Sequence, residues 1–262
     1  MVYFVATPIG NLKEITYRAV ETLKSVDVIF CEDTRHSRIL LNEYGITAKL
    51  LSYHKFNERA TLEKVGDFAK NNKSVAIISD AGMPGINDPG NILVNYLIAE
   101  GIEYTVLSGA TALINAFVLS GYSAPFTFVG FLPEQTCDKD RLLESVTASN
   151  TTLIFYCAVH DINDTLAYLC QRLGDRNVCV VKEISKIHES AQHIRLSGRV
   201  ENLLGEYCLV VEGKSPENVL NSLATEQHIE YYVSCGFSKM EAIKQTAKDL
   251  GVSKNEIYKT TI

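Results

Sequence analysis

The chain has 262 residues, 46% of them hydrophobic and 21% charged, with a net charge of −6. That length and composition suit a globular protein of one large or two medium domains. No apolar run approaches the roughly 18 residues of a membrane span, so no membrane partner is expected. The opening residues read as a strand, without the basic and apolar regions of a secretory signal. Seven scattered cysteines with no Cys-x-x-Cys pair point to a reducing cytoplasm and away from a disulfide framework or zinc site. The six histidines do not fall at metal-binding spacing with cysteines or acids, so no metal is expected. With an acidic chain, a nucleic-acid partner needs a local basic patch.

Five short hydrophobic runs follow in quick succession, each ending in a polar or Gly/Pro-rich segment. Val2–Ala6 leads into Thr7-Pro8-Ile9-Gly10-Asn11, and Val28–Cys31 into Glu32-Asp33-Thr34-Arg35-His36. Leu50–Tyr53 leads into His54–Glu58, Val75–Ile78 into Ser79–Gly90, and Tyr104–Leu107 into Ser108–Ala112. Helical patterns separate them at Tyr17–Ser25, Ile39–Tyr44, Glu58–Asn71 and Asn91–Glu100. Ala110–Leu119 is apolar nearly all round and reads as a buried helix. Alternation of this kind predicts βαβ units and a mostly parallel sheet.

Gly121–Pro125 reads as a linker into a second α/β region. Its strands are expected at Phe126–Phe131, Leu153–Cys157, Val178–Val181 and Tyr207–Val211, and its helices at Lys139–Thr147 and Asp161–Leu173. His193–Leu196 alternates like a strand in a more antiparallel sheet. In the tail, Ser238 with Glu241 and Ser253 with Glu256 form two capping boxes. They frame two short helices joined at Gly251, a helix-turn-helix-like unit. The expected domains are therefore 1–121, 122–213 and a helical segment, 214–262. Ser238–Ile262 carries five lysines and three acids, so the tail suits either RNA contact or a solvated cap.

Ligands in open α/β sheets bind outside the carboxyl ends of the strands, where all five unusual loops sit. Ser79–Gly90 is the strongest signal, with kinked positions at Gly82, Pro84, Pro89 and Gly90 that a plain connection does not need. Asp88 in it also reads as a cap for the following helix. Glu32–His36 gathers ionisable groups that need internal pairing, such as Asp33 with Arg35 or Arg38, and Asp33 or Thr34 suits the N-cap of the next helix. No dinucleotide fingerprint, Walker A sequence or nucleophile elbow is present.

Taken in order, Thr7–Leu12, Glu32–His36, His54–Glu58, Ser79–Gly82 and Ile86–Gly90 resemble the tetrapyrrole methylase superfamily, and within it the branch of ribosomal small-subunit RNA methyltransferases I. Gly130–Pro133, Leu153–Tyr156, Val210–Gly213 and Ser253–Lys259 extend the resemblance along the chain. It implies two α/β domains with S-adenosylmethionine folded between them, a homodimer, and methylation of the ribose 2′-hydroxyl of a decoding-region cytidine in 16S rRNA. By motif match, Pro8, Asp80, Ala81, Gly82, Ser108, Thr111 and Ala112 line the cofactor from the first domain, and Tyr156 and Cys157 from the second. The chain departs from the family at Cys157 and Asp161, where relatives carry Glu and Arg.

A 2′-hydroxyl needs alignment and a proton acceptor. Asp33 or Glu32 is expected in that role, with Asp88 the third candidate. Arg35 and Lys186 are expected on a phosphate or ribose, and Arg38, Lys55, Arg59 and Lys254 on the RNA backbone. Two alternatives remain open on sequence: a small-molecule tetrapyrrole methylase, and a non-catalytic RNA-binding relative.

Overall fold

In a computed structural model, the residues described are 1–147, 150–201, 204–214, 220 and 223–260. The chain forms two compact units, Met1–Gly213 and Lys214–Ile262.

The first sheet holds β1 (Val2–Val5), β2 (Val28–Cys31), β3 (Lys49–Ser52), β4 (Val75–Ile78) and β5 (Tyr104–Leu107), in the order β3-β2-β4-β1-β5. Every pairing is parallel. Helices cover both faces, so central strands such as β2 and β4 are apolar at every position and wholly buried. On one face α1 (Tyr17–Ser25) and α2 (Thr34–Glu43) place Ala19, Leu23 and Leu41 against Ile29 and Ala76. On the other, α3 (Glu58–Lys70) and α4 (Asn91–Ala99) place Val65, Leu93 and Leu97 against Phe4, Phe30 and Ile77.

The neighbours β1 and β4 thus send their following helices, α1 and α4, to opposite faces. Their exits diverge and leave a crevice at the carboxyl edge, the switch point at which such sheets bind ligands.

The second sheet holds β6 (Phe126–Phe131), β7 (Thr152–Cys157), β8 (Asn177–Lys182), β9 (Ser190–Arg195) and β10 (Tyr207–Val211), in the order β6-β7-β10-β8-β9. Only β6 and β7 run parallel; the other neighbours are antiparallel, and β9 is the alternating segment. The helices α6 (Thr136–Thr147) and α7 (Ile162–Leu173) bury Leu143, Leu166 and Leu169 on one face, with Phe155 and Leu209. The opposite face is covered by α5 (Ala112–Ser120), whose Ala116 packs with Ile154, Cys179, Cys208 and Val210. The seven cysteines are all free, and no helix among the described residues is long and apolar enough to cross a membrane.

Two expectations need correction. The α5 helix is not buried all round: Ala116 and Ser120 are buried, but Val118 is 71% exposed and Ile114 and Leu119 also face outward. Its apolar character serves one covered and one uncovered face. Asp88 does not cap α4, whose N-cap is Gly90, with no side-chain cap bond.

Among the described residues, the C-terminal unit has three helices, α8 (Thr225–Ser234), α9 (Lys239–Asp249) and α10 (Lys254–Thr260). Both expected capping boxes form: Ser238 with Glu241 starts α9, and Ser253 with Glu256 starts α10. The unanticipated α8 supplies Ile229 to a core with Ala242, Ile243, Ala247 and Ile257. Its buried His228 meets Asp249 at 3.2 Å, and the Tyr232 hydroxyl donates to the same carboxylate at 2.5 Å.

Candidate active site

The site begins where β1 and β4 end. Thr7 and Gly82 exchange backbone hydrogen bonds of 2.8 and 3.1 Å, and the Thr7 hydroxyl donates to the Ser79 carbonyl at 3.1 Å. The loop after β4 is thereby tied down at its start. Gly82 has φ +82°, a left-handed conformation that a side chain would strain.

At its far end the same loop is held by a buried carboxylate. Glu58, at the start of α3, accepts from the Gly90 backbone N–H at 2.9 Å and from the buried Tyr53 hydroxyl at 2.6 Å. Gly90 has φ +154°, and a Cβ there would lie 2.8 Å from the Gly85 Cα. The loop therefore folds back on itself so closely that only glycine fits. Gly130 in β6 makes a similar approach, since a Cβ on it would lie 2.8 Å from Asn87 Oδ1. These contacts fix one wall of a cleft between the two sheets.

The cleft has a volume of about 500 Å³. Asp80, Ala81, Asp88, Thr111 and Ala112 line it from the first sheet's side, and Tyr156 and Cys157 from the second. Of the nine residues expected around a cofactor, these include six. Pro8 instead lines an adjoining cavity of about 510 Å³, together with Thr7, Gly10, His36, Ser37 and Lys186. The two cavities share Ile9, Asp80, Ala81 and Glu206. Gly82 and Ser108 line neither; Gly82 acts through its bridge to Thr7.

The walls are mainly apolar, with Met83, Ile86, Phe131 and Ile184 beside the small residues. Phe128 and Phe131 pack edge-on against Tyr156, at 5.0 and 5.5 Å. Burial pushes the Tyr156 phenol up to about 12, so it is neutral at physiological pH. Burial also raises the Cys157 thiol, which makes it an inert wall residue and not a nucleophile.

The three acids expected as proton acceptors differ sharply. Asp33 caps α2 and binds Arg35 through its backbone N–H and its side chain, the salt bridge closing at 2.9 Å. Those hydrogen bonds lower its carboxyl to about 2. It lines neither cavity; its backbone N–H donates to Asp80 Oδ1 at 3.2 Å. Burial raises Asp88, against a hydrogen bond with Ser79 that lowers it and with a further push from Asp80. Burial and the charges of Asp88 and Asp80 raise Glu32. Asp88 is the one of the three that faces the cleft.

Among the expected RNA contacts, Arg38, Lys55 and Arg59 are exposed on the same rim. Arg35 is committed to Asp33. Lys186 is held by Glu183 at 2.9 Å and Glu206 at 2.8 Å. Its loop is unusual: Glu183 and Ser185 both adopt positive φ without being glycine, a kind of strain that clusters at ligand sites. Lys254 belongs to the C-terminal unit, at the start of α10. Glu206, Phe131 and Ile184 line the cleft without having been expected there; each sits at or next to a strand end of the second sheet, with no distinguishing spacing.

Comparison with known proteins agrees with this architecture. Residues 1–197 match the family of Tetrapyrrole (Corrin/Porphyrin) Methylases. The chain is 42% identical over 267 residues to ribosomal RNA small subunit methyltransferase I of Halalkalibacterium halodurans, covering 98% of this chain and 92% of the relative. It is 39% identical over 270 residues to the Bacillus subtilis protein of the same name, with the same coverage. Uroporphyrin-III C-methyl transferase from Thermus thermophilus, solved in complex with S-adenyl homocysteine, superposes with a TM-score of 0.60 at 21% identity, over 80% of this chain and 96% of that one. That last likeness is one of fold. The matched family and the full-length relatives together establish that the chain belongs to the ribosomal RNA small subunit methyltransferase I family of the tetrapyrrole methylases.

Proposed function

We propose that the protein transfers a methyl group from S-adenosylmethionine to the ribose 2′-hydroxyl of a decoding-region cytidine in 16S rRNA. The observation that carries this reading is the pair of adjoining cavities with a common wall at Asp80 and Ala81. One is apolar, with small residues at Ala81 and Ala112 and carboxylates at Asp80 and Asp88. Those groups fit a flat adenosine joined to a cationic sulfonium. The other sets the Thr7, Ser37 and Ser79 hydroxyls and His36 among apolar residues such as Ile39 and Leu40; those polar groups suit a ribose.

When bound, S-adenosylmethionine supplies an electrophilic methyl group. The chain's own contribution is alignment and proton acceptance. A rigid wall, fixed by the Thr7–Gly82 bridge and the Glu58–Gly90 bond, holds the reactants in line; such positioning is worth up to about 7–11 kcal/mol. Asp88 accepts the hydroxyl proton where the ribose reaches the shared wall: it lines the cleft close enough to Asp80 of that wall to feel its charge, and its raised pKa makes it a better base than an ordinary aspartate. Glu32 stands second, its own carboxyl raised by burial and by the charges of Asp88 and Asp80. Asp33 organises α2 and Arg35. Arg38, Lys55 and Arg59 hold the RNA backbone, with Lys254 offering a further contact. A ribosomal substrate places the reaction in the cytoplasm.

The chemistry is tested by labelling small ribosomal subunits that lack this modification, using S-adenosylmethionine with a radioactive methyl group, then digesting the rRNA in alkali. A 2′-O-methyl ribose blocks cleavage, so label is expected in one alkali-stable dinucleotide from the decoding region. Label in mononucleotides would mean base methylation, and no label despite cofactor binding would mean a non-catalytic relative.

The active form in this reading is a homodimer. The outward face of α5, with Ile114, Val118 and Leu119 exposed, is the surface offered to a second copy. Val118→Glu is expected to convert the dimer to a monomer in size-exclusion chromatography with light scattering.

A further inference from the structure

Phe56 is 95% exposed, an unusual position for a large apolar ring. It sits between β3 and α3, on the rim that carries the site loops. The turn around it is rigid. The His54 backbone N–H donates to Asn57 Oδ1 at 2.8 Å, the Asn57 backbone N–H donates to the His54 carbonyl at 2.9 Å, and Asn57 Nδ2 donates to the Ser52 carbonyl at 3.2 Å. Both ends are anchored by the Tyr53–Glu58 hydrogen bond, and Glu58 in turn binds Gly90 of the cleft wall. The turn is therefore tied directly to the site.

Its surroundings identify a ligand class. The Phe56 ring meets His54 at an interplanar angle of 65°, with centroids 6.0 Å apart, and otherwise stands open to solvent. The His54 Nδ1 atom is buried without a hydrogen-bond partner. His54 lies close enough to Glu32 to act on its charge, and Glu32 is similarly close to Asp88. Lys55, next to Phe56 in the chain, and Arg59, three residues on at the start of α3, are both exposed. An exposed aromatic ring on a rigid turn that also carries exposed cations is the arrangement that takes an unstacked nucleobase. We infer that Phe56 is a stacking platform for an unpaired base of the RNA next to the acceptor nucleotide, with Lys55 and Arg59 gripping its phosphates. This rests on the RNA methyltransferase reading above.

Three variants test it in methyl transfer to small ribosomal subunits. Phe56→Tyr keeps the π-face and is expected to keep activity. Phe56→Ala and Phe56→Leu both lose it, and each is expected to lower kcat/KM by about 10- to 100-fold, mainly through KM, with S-adenosylmethionine affinity unchanged. Activity of Phe56→Ala within two-fold of wild type would overturn the inference. So would rescue by Phe56→Leu, which would indicate a plain apolar contact, as with a protein. An inactive wild type would instead overturn the functional reading and this inference with it. An independent probe is available because the chain contains no tryptophan. In Phe56→Trp the single indole is expected to be quenched as a short unstructured oligoribonucleotide binds. Binding without quenching would contradict stacking.

Discussion

Asp88→Asn is expected to lower kcat for methyl transfer by about 10²–10⁴-fold while leaving the protein at least as stable at neutral pH. Asp88 is held in a site that disfavours its charged form; burial and the neighbouring Asp80 raise its pKa above the ordinary carboxylate value. A carboxyl with a raised folded-state pKa favours folding below its unfolded pKa, and loses that contribution as pH rises through the folded one. At neutral pH its charge is therefore a net cost, which the amide removes. The stability difference between wild type and variant should shrink as pH falls through the folded pKa of Asp88. Wild-type kcat should fall over the same range, as the base is protonated. Thermal melts and a kcat–pH profile check both. A variant with near-normal kcat would transfer the proton-accepting role to Glu32, whose Glu32→Gln change would then carry the loss.

Gly90→Ala is expected to damage the site by a different route. A Cβ at this position would lie 2.8 and 2.9 Å from the Gly85 Cα and N, and the backbone has φ +154°. Both the contact and the conformation oppose any side chain, so relief requires moving the loop. The cost is about 1–3 kcal/mol from the backbone conformation alone. Displacing the Gly90 N–H also weakens its bond to the buried Glu58 carboxylate, adding roughly 1–3 kcal/mol. A melting temperature lower by at least about 4 °C is expected, together with weaker S-adenosylmethionine binding by calorimetry. Glu58→Leu should produce part of the same phenotype, because it strands the Tyr53 hydroxyl and the Gly90 N–H. Unchanged affinity in both variants would show that this wall does not shape the cofactor site.

Much of this was visible in the residues. The runs Val28–Cys31 and Val75–Ile78 announce central parallel strands, because only a strand covered on both faces is apolar throughout. The Ser79–Gly90 loop announces itself by glycines and prolines that the backbone requires, at φ +82° for Gly82 and +154° for Gly90. What stayed hidden was long-range. Nothing local says that Glu58 reaches Gly90, or that Gly130 lies against Asn87. The relative standing of the three acids was likewise unreadable. Asp33, favoured together with Glu32, is occupied by Arg35, whereas Asp88, the third candidate, faces the cleft. The α5 helix misled because its apolar pattern cannot distinguish a second covering layer from a surface left open. The α8 helix lacks a clear start signal, and its His228, Tyr231 and Tyr232 blur the apolar stripe.

The cofactor is expected in the cleft between the two sheets. A structure determined with S-adenosylhomocysteine tests that directly. The ligand is predicted between Asp80–Ala81 and Thr111–Ala112 on one side and Tyr156–Cys157 on the other. Density in the adjoining cavity beside Pro8 and His36, with the cleft empty, would contradict the assignment of both cavities.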